Sequence, residues 1–229
     1  MSGVWIRAGR GPTADPNLSV SQLDDVRQAL ADASIELWGW HVPFCATKAA
    51  AKAEAQAVLD WVDQAGFAGI VIDAERTNDN PRFRGDTDEA IAYTDALIAG
   101  LDQRGCGVAF SSHDQPALHT DFPFKPFLDR VADICPQVYY RKADPSSRLG
   151  KSVHDYKALV PEGEFVSRYR PTGNITIGGD LPFPDVTTCL AATTAFIGLV
   201  TQAGYPSYSF WCWDTAPSQI WDLFNQTPV

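Results

Sequence analysis

Short apolar runs rich in β-branched and aromatic residues recur along the chain and predict the strands of a sheet. The first halves of these runs lack a polar alternation, which is typical of strands buried on both faces. An eighth strand would lie near residues 174–178 or before residue 4. The seven clear runs are residues 4–8, 35–42, 69–75, 108–113, 134–140, 165–170 and 208–213.

Stretches with helical spacing separate most of these runs. Residues 47–65 are rich in alanine and end before Gly66, whereas residues 86–104 begin with the capping box Asp86-Thr-Asp-Glu89 and end before Gly105. Some connections after strand ends are predicted to be loops that wall a site. The other predicted helices are 21–33, 125–132, 185–202 and 218–225, and the loops are 77–85, 114–124 and 143–152.

The alternation of strands and helices predicts a parallel sheet covered by helices. Polar and aromatic side chains such as Trp40 and Tyr139 collect where the predicted strands end, and this rim is where TIM barrels build their sites. Gly9 and Gly11 follow the first strand without the glycine spacing of a dinucleotide-binding turn. The sequence therefore predicts an α/β fold, a TIM-barrel-like (β/α) barrel of seven to eight strands, as one domain over residues 1–229.

Composition and charge narrow the classes of function. The 229 residues carry a net charge of −10 without a basic run, so we expect no nucleic acid partner. The sequence has no apolar window long enough to predict membrane insertion. The five cysteines have long, irregular gaps, which is typical of reduced, buried thiols. The first residues lack the pattern of a secretory leader. The location of the protein is therefore left open, and secretion or delivery to a cell wall by a phage is expected only if the substrate is a cell-wall glycan.

The sharpest candidate chemistry lies at the end of the third apolar run, where Asp73 and Glu75 are two residues apart. Such residues share one face of a strand, with Cα atoms about 6.5 Å apart. Two carboxyl groups this close at the mouth of an apolar barrel are not expected to ionise together, so one would hold its proton to a higher pH. Glycosidic cleavage uses such an acid together with a second, stabilising group. We therefore predict Asp73 and Glu75 as the catalytic residues of a glycosidase.

Side chains at the other strand ends are predicted to bind sugar, because sugar rings pack on aromatic faces and their hydroxyls need fixed hydrogen bonds. Trp38 shares a strand face with Trp40, and Trp211 shares one with Trp213, so the outermost tryptophans, Trp40 and Trp213, are preferred. No metal and no cofactor is predicted. The predicted substrate-binding residues are Arg7, Trp40, His41, Ser111, His113, Gln137, Tyr139, Arg168, Trp213 and Asp214.

Residues 68–75 resemble the D-G-x-D-x-D-x-E strand of family 18 chitinases. They keep the glycine and the final D-x-E, whereas alanine and valine replace the two earlier aspartates. The resemblance implies that Glu75 is the acid and that Asp73 orients the substrate acetamide, which acts as the nucleophile of a retaining reaction. It also implies that Tyr139 binds the acetamide and that Trp213 forms the floor of the site.

The order of the segments is closer to that of the family 25 lysozymes. It runs from Trp38-Gly-Trp-His41 through an alanine-rich helix with Glu54-Ala-Gln56 to the D-x-E strand. This resemblance covers roughly residues 35–140 and implies peptidoglycan as the substrate. Residues 135–140 and 210–214 also resemble lysozyme-like barrels of bacteria and phages. The lysozyme family has a further aspartate on an earlier strand, for which this sequence shows no counterpart.

We therefore predict a lysozyme-like glycosidase that cleaves an N-acetylhexosamine glycan, with peptidoglycan as the preferred candidate. One alternative is a non-catalytic, sugar-binding or structural barrel of a phage or wall assembly, which the missing aspartate favours. Another is a metal-dependent barrel hydrolase or isomerase that uses His41, Glu75, His113 and Asp214, although no short ligand spacing supports it. The predicted partner is a glycan, and the oligomeric state stays open.

Overall fold

The computed structural model of the protein falls into two compact units. The first comprises Met1–Ser111 and His119–Ala132, and the second comprises Ser112–Leu118 and Asp133–Val229. The single domain over residues 1–229 stays a prediction. Within the described residues, no helix has the length and apolar character needed to cross a membrane. The structure describes residues 2–19, 21–76, 82–140, 144–178 and 182–226.

The first unit contains a mostly parallel sheet whose strands are connected by helices. Its strand order is β2-β1-β3-β4-β5, in which β2 runs antiparallel to β1 and the other neighbours are parallel. The strands are β1 (Gly3–Arg10), β2 (Thr13–Ala14), β3 (Glu36–Val42), β4 (Gly69–Asp73) and β5 (Gly107–Ser111). The helices are α1 (Leu23–Asp32), α2 (Lys48–Ala65), α3 (Thr87–Arg104) and α4 (Phe124–Leu128), with a 3-10 turn at Pro16–Ser19.

The two long helices of this unit, α2 and α3, begin and end at their capping residues. The Thr47 side chain accepts a backbone N–H at the start of α2, and Asp86 and Glu89 form the predicted capping box of α3. Gly66 and Gly105 follow the two helices with φ of 67°, a left-handed conformation that glycine adopts without strain. Local sequence therefore sets the bounds of both helices.

The strand register arranges side chains in rows on one face of the sheet. Trp38 is registered with Gly69, and Gly69 with Gly107. The Trp38 ring lies across both glycines, because a Cβ at either position would come within 2.5 Å of it. On the other face, Ile70 and Ile72 are fully buried. The sheet of this unit is therefore packed on both faces at its base, as its apolar runs predict.

The second unit contains shorter strands. Its strands β7 and β8 pair in parallel. Single parallel bridges join His113 to Gln137, Gln137 to Thr172 and Ile134 to Tyr169. The strands are β6 (Asp133–Ile134), β7 (Thr172–Asn174) and β8 (Ser209–Trp211). The helices are α5 (Pro145–Lys157), α6 (Phe165–Arg168), α7 (Val186–Gln202) and α8 (Ile220–Gln226), with 3-10 turns at Pro116–Leu118 and Trp213–Thr215.

Two element predictions in the second unit are wrong. Phe165–Arg168 of the predicted strand 165–170 form the helix α6, and only Tyr169 makes a strand bridge, to Ile134; the Arg168 side chain pairs one turn back with Glu164 at 2.9 Å. Residues 144–152 of the predicted loop 143–152 begin the helix α5 instead. Asp144 caps this helix through the Ser146 N–H, and a proline follows it at the first helical position. Residue 143 lies outside the described residues, as do 77–81 of the predicted loop 77–85.

Other predicted strands are confirmed in position but are shorter than expected. The run 134–140 forms a strand at Asp133–Ile134 and an isolated bridge at Gln137. The run 208–213 forms a strand that ends at Trp211. The five cysteines are free thiols, three of them buried, in agreement with the interpretation of their spacing. Parallel strands connected by helices confirm the predicted α/β class.

Candidate active site

The two predicted catalytic carboxylates lie at and just after the carboxyl end of a buried parallel strand in the first unit. Asp73 is the last residue of β4 and is registered with Ser111, the last residue of β5. Both side chains are buried. The register also aligns Trp40 with Val71, two residues before Asp73, so Trp40 and Asp73 share a face of the sheet. Glu75, two residues further along, is half-buried.

Glu75 has a cationic neighbour that the sequence analysis missed. Its Oε2 atom lies 3.7 Å from Nη1 of Arg82, and its side chain is 16% exposed. Its backbone carbonyl accepts the N–H of Phe83 at 2.9 Å. The one available signal was the pair of arginines at 82 and 84 in a segment predicted to wall the site. Residues 82 and 83 of the loop after β4 therefore contact Glu75, one through its side chain and the other through its backbone N–H.

Arg76 fixes the returning part of this loop. Its guanidinium donates hydrogen bonds to the backbone carbonyls of Phe83, Gly85 and Asp121, and it lies 3.4 Å from Oδ1 of Asp86. It also lies over the Phe83 ring, 5.9 Å from the ring centroid. A guanidinium offers five N–H donors in a rigid plane, so one side chain can hold several backbone carbonyls at once.

Arg7 and Trp40, both predicted to bind substrate, lie together in the first unit. They are registered on neighbouring strands, and the Arg7 guanidinium lies 5.5 Å from the centroid of the Trp40 ring. Arg7 also forms an ion pair with the buried Asp15, a partner that the sequence analysis missed. The Trp40 side chain is half-buried. Arg7 is therefore fixed between a carboxylate and an aromatic ring.

The structure places His41 in the core, which corrects the predicted substrate contact. It follows Trp40 on the strand and therefore lies on the opposite face of the sheet. Its Nδ1 is 2.7 Å from the Tyr93 hydroxyl, and its Nε2 is 2.9 Å from the carbonyl of Gly11. Complete burial lowers the pKa of His41 to about 4, against the opposing effect of the Gly11 hydrogen bond. Both nitrogens are occupied within the protein.

In the second unit, two predicted residues belong to one row of polar side chains. Parallel bridges align His113 with Gln137 and Gln137 with Thr172. Thr172 is registered with Ser209, and their hydroxyls lie 2.8 Å apart. Thr172 was not predicted because the sixth strand was expected at residues 165–170, and Ser209 lies within the predicted run 208–213 but was not among the predicted site residues. His113 and Gln137 are half-buried.

Burial alternates along the segment that contains Gln137 and Tyr139. These two are half-buried, whereas Val138 and Tyr140 are fully buried. Gln137 and Tyr139 therefore lie on the less buried side of this segment. Tyr140 packs against Phe196 with ring centroids 5.0 Å apart, and burial raises the pKa of its hydroxyl well above the usual value. Tyr140 is therefore a core residue.

The remaining predicted residues of the second unit lie outside strands. Arg168 is on α6. Trp213 and Asp214 lie in the 3-10 turn after β8, and both are exposed. The shared-face argument for Trp211 and Trp213 is therefore wrong, because Trp213 is not part of the strand. Trp213 contacts Trp221 edge-on, with ring centroids 5.5 Å apart.

One ion pair of a buried carboxylate in the second unit was also missed. Asp114 pairs with Arg148 of α5, whose Nη2 lies 2.7 Å from Oδ1. Burial raises the pKa of Asp114, and the Arg148 pair offsets only part of that rise. The neighbouring His113 carbonyl accepts the Tyr156 hydroxyl at 2.8 Å. Helix α5, which the sequence analysis did not predict, therefore anchors the segment after Ser112.

The metal-dependent alternative finds little support. Across the described parts of the chain, no group of three or more His, Cys, Asp or Glu side chains is placed to hold a metal ion. Of the four residues in that hypothesis, His41 has both nitrogens occupied in the core. A ligand set built on His41 would first have to break both of these hydrogen bonds.

No family model matches the sequence, and no curated protein matches it. Solved structures are similar in fold. The chitinase from Chromobacterium violaceum ATCC 12472 is 12% identical with a TM-score of 0.68, over 98% of this chain and 90% of that chain. The chitinase-like agglutinin from Robinia pseudoacacia is 8% identical with a TM-score of 0.69, over 95% and 90%. The endo-β-N-acetylglucosaminidase from Cordyceps militaris is 15% identical with a TM-score of 0.58, over 91% and 80%.

At identities this low, the similarity shows the fold. The predicted TIM-barrel-like α/β fold is confirmed by these neighbours. Several of them are named chitinases, the class of protein whose D-x-E strand residues 68–75 resemble. The family 25 lysozyme resemblance stays a prediction. The chain therefore shares its fold with proteins named as chitinases, an endo-β-N-acetylglucosaminidase and a chitinase-like agglutinin.

Proposed function

We propose that this protein is a glycoside hydrolase that cleaves an N-acetylhexosamine-containing glycan. The observation that carries the proposal is the position of Asp73 and Glu75, which follow a buried parallel strand at its carboxyl end. In TIM barrels this edge is where catalytic residues lie. The fold neighbours named as chitinases and as an endo-β-N-acetylglucosaminidase support the substrate class.

In the proposed mechanism the substrate acetamide is the nucleophile, so configuration is retained at the anomeric carbon. Glu75 donates a proton to the leaving glycosidic oxygen while the acetamide oxygen attacks the anomeric carbon and forms a ring. Asp73 accepts the acetamide N–H and holds the oxygen in line for that attack. Glu75, now a carboxylate, then removes a proton from the water that opens the ring. The burial of Asp73 suits a positioning role, because a buried carboxylate makes strong hydrogen bonds.

Peptidoglycan is the substrate we propose within this class. Its support is the order of the Trp38-to-His41 strand, the alanine-rich helix and the D-x-E strand, which resembles that of the family 25 lysozymes. Trp40 offers an aromatic face on the same side of the sheet as Asp73. Delivery of the protein to a cell wall, by secretion or by a phage, would follow from this substrate.

The test is the release of new reducing ends from purified peptidoglycan and from chitin oligomers between pH 4 and 8. We expect release by the wild type and a loss of about a hundred- to a thousand-fold in Glu75→Gln, because the amide cannot donate the proton. Glu162→Gln, at an exposed glutamate of the second unit, is the matched control and should behave as wild type. Full activity in Glu75→Gln would overturn the proposal.

A second candidate function is glycan binding without cleavage. Two observations favour it: one fold neighbour is named an agglutinin, and the carboxylate of Glu75 is paired with Arg82 at 3.7 Å. A binding protein would retain affinity for N-acetylhexosamine oligomers while releasing no reducing ends at any pH tested. Release of reducing ends that requires Glu75 would exclude it.

A further inference from the structure

Arginines collect where β1 and β4 of the first unit end, although the protein as a whole carries a net charge of −10. Three of them have partners within the unit. Arg7 pairs with Asp15, Arg76 holds backbone carbonyls and Arg82 pairs with Glu75. The remaining two arginines of this group are Arg10 and Arg84.

Arg10 and Arg84 are exposed. Among the residues that the structure describes, no carboxylate lies within ion-pair distance of either of them. Within the described part of the chain, the charge of neither guanidinium is neutralised by an ion pair. Arg84 lies two residues after Arg82, which pairs with Glu75, so it belongs to the segment that reaches the candidate acid.

Phe44 joins the two arginines. The Arg84 guanidinium lies over the Phe44 ring, 4.9 Å from its centroid, and the Arg84 N–H donates to the Phe44 carbonyl at 2.7 Å. Gly11, the residue after Arg10, touches the same ring, because a Cβ there would come within 2.5 Å of it. Gly11 has a φ of +51°, so glycine relieves both the strain and the crowding.

The Phe44 ring has a fixed position. The backbone N–H of Phe44 donates to the buried carboxylate of Glu54 at 2.8 Å, and the next N–H, of Cys45, donates to it at 2.9 Å. The segment that contains Arg84 also contains Arg82, which reaches Glu75. A series of contacts therefore connects the candidate acid Glu75, through the segment that contains Arg84 and through Phe44, to the turn after Arg10.

We propose that Arg10 and Arg84 bind a carboxylate carried by the sugar substrate. This inference rests on the proposed function and names its substrate class: an N-acetylhexosamine glycan with carboxylates spaced along it, in preference to the neutral polymer. A guanidinium matches a carboxylate in both charge and geometry. The net charge of −10 opposes a dense polyanion, whereas a glycan with one carboxylate per disaccharide needs only this local pair.

The test compares two forms of one glycan. Peptide-free peptidoglycan strands with free carboxyl groups form the first, and the same strands with those groups amidated by methylamine form the second. Binding to the immobilised protein is measured by surface plasmon resonance in the cold, at about physiological and about three-fold higher salt. The proteins are the wild type, the double variant Arg10→Gln/Arg84→Gln and the control Arg27→Gln. Arg27 lies beside Gly66 at the start of the segment that leads into β4, and it pairs with Asp24.

We expect the wild type to bind the free-carboxyl strands about ten-fold more tightly than the amidated strands, and higher salt to reduce that preference. The double variant should lose the preference and bind both forms as the wild type binds the amidated one. Arg27→Gln should retain it. Equal binding of both forms by the wild type, no binding of the free-carboxyl form, or a preference that survives in the double variant would overturn the inference.

Failure of the inference can be distinguished from failure of the proposed function. Cleavage that depends on Glu75 but shows no carboxylate preference would support the glycosidase function and exclude the carboxylate subsite. A carboxylate preference without any release of reducing ends would support the carboxylate subsite, and it would favour glycan binding without cleavage as the function. Arg10 and Arg84 are exposed, so the double variant is expected to unfold at the wild-type temperature, which thermal circular dichroism checks.

Discussion

Two buried carboxylates, one in each unit, hold a segment that follows a strand, and they do so by different chemistry. Glu54 projects from α2 and accepts the backbone N–H groups of Phe44 and Cys45 at 2.8 and 2.9 Å. Asp114 follows the Ser112-His113 segment and is paired instead with the guanidinium of Arg148. Both carboxylates are at most 5% exposed.

The two contacts differ in how the remaining partner can respond when the carboxylate is altered. Backbone N–H groups cannot move away from Glu54 without moving the chain, so its loop depends on a charged acceptor at that place. The Arg148 side chain is 37% exposed, so water can solvate the guanidinium if Asp114 loses its charge. Fixed dipoles therefore make the Glu54 anchor rigid, whereas the Asp114 anchor is adaptable.

The largest stability effect is expected from Glu54→Gln. The glutamine amide would turn an N–H₂ group or a weaker oxygen toward two backbone donors in a buried site. We expect a loss of about 3 to 4 kcal/mol in the free energy of unfolding, measured by urea denaturation. Glu36→Gln, at an exposed glutamate of the same unit, is the control. Stability within about 0.5 kcal/mol of wild type would show that the loop does not need the buried charge.

The pH dependence of stability gives the next test, through His41. Its pKa in the folded protein is lowered to about 4, whereas it is about 6.5 in an unfolded chain. The unfolded chain therefore binds the additional proton between these values, and stability falls as the pH drops from about 6.5 to about 4. The contribution is about 3.4 kcal/mol at most.

A His41→Asn variant tests this assignment. Asparagine does not titrate, so the variant should be less stable at neutral pH and should lose most of the slope between pH 6.5 and 4. The exposed His154 provides the control, since His154→Asn should keep the wild-type slope. An unchanged slope in His41→Asn would place the titrating group elsewhere.

The sequence predicts the first unit well because its signals are local. Long apolar runs, a capping box at Asp86 and glycine caps such as Gly66 each mark an element without reference to the rest of the chain. The strand-end location of Asp73 also follows from the apolar run before it. The correct face of His41 was available from the same strand, because a residue next to Trp40 has to point the other way.

The second unit is harder to predict because its elements depend on tertiary partners. Helix α5 is polar and contains a glycine and several serines, so its sequence resembles a loop, and its buried pair with Asp114 connects residues 34 positions apart. The alternation in residues 165–170 resembles a strand, although Phe165–Arg168 form α6. In the first unit, the arginine pair at 82 and 84 marked the loop but not the contact, since Arg82 reaches its partner Glu75 only when the loop turns back.

The smallest effect is expected from Asp114→Asn, and its pH dependence distinguishes it from Glu54→Gln. Burial raises the pKa of Asp114, so the folded state holds its proton at pH values where the unfolded state has released it. Wild-type stability from this group therefore falls as the pH rises from the unfolded value through the folded one. Asparagine removes that dependence and keeps one hydrogen-bonding oxygen for Arg148. We expect a loss of about 1 to 2 kcal/mol near pH 7 that grows toward pH 4, where the wild type regains the stability of the protonated carboxyl.

The matched variant Arg148→Gln should leave the buried carboxylate of Asp114 without its cationic partner. Without the guanidinium the buried carboxylate keeps its desolvation cost, so its pKa rises further and the variant loses more stability at pH 7 than at pH 4. Denaturation of both variants at the two pH values therefore separates the charge of Asp114 from its shape. If Arg148→Gln were no less stable than Asp114→Asn at pH 7, the ion pair would not be the anchor of this segment. The contrast with Glu54 would then rest on the Tyr156 hydroxyl and the His113 carbonyl, which lie 2.8 Å apart.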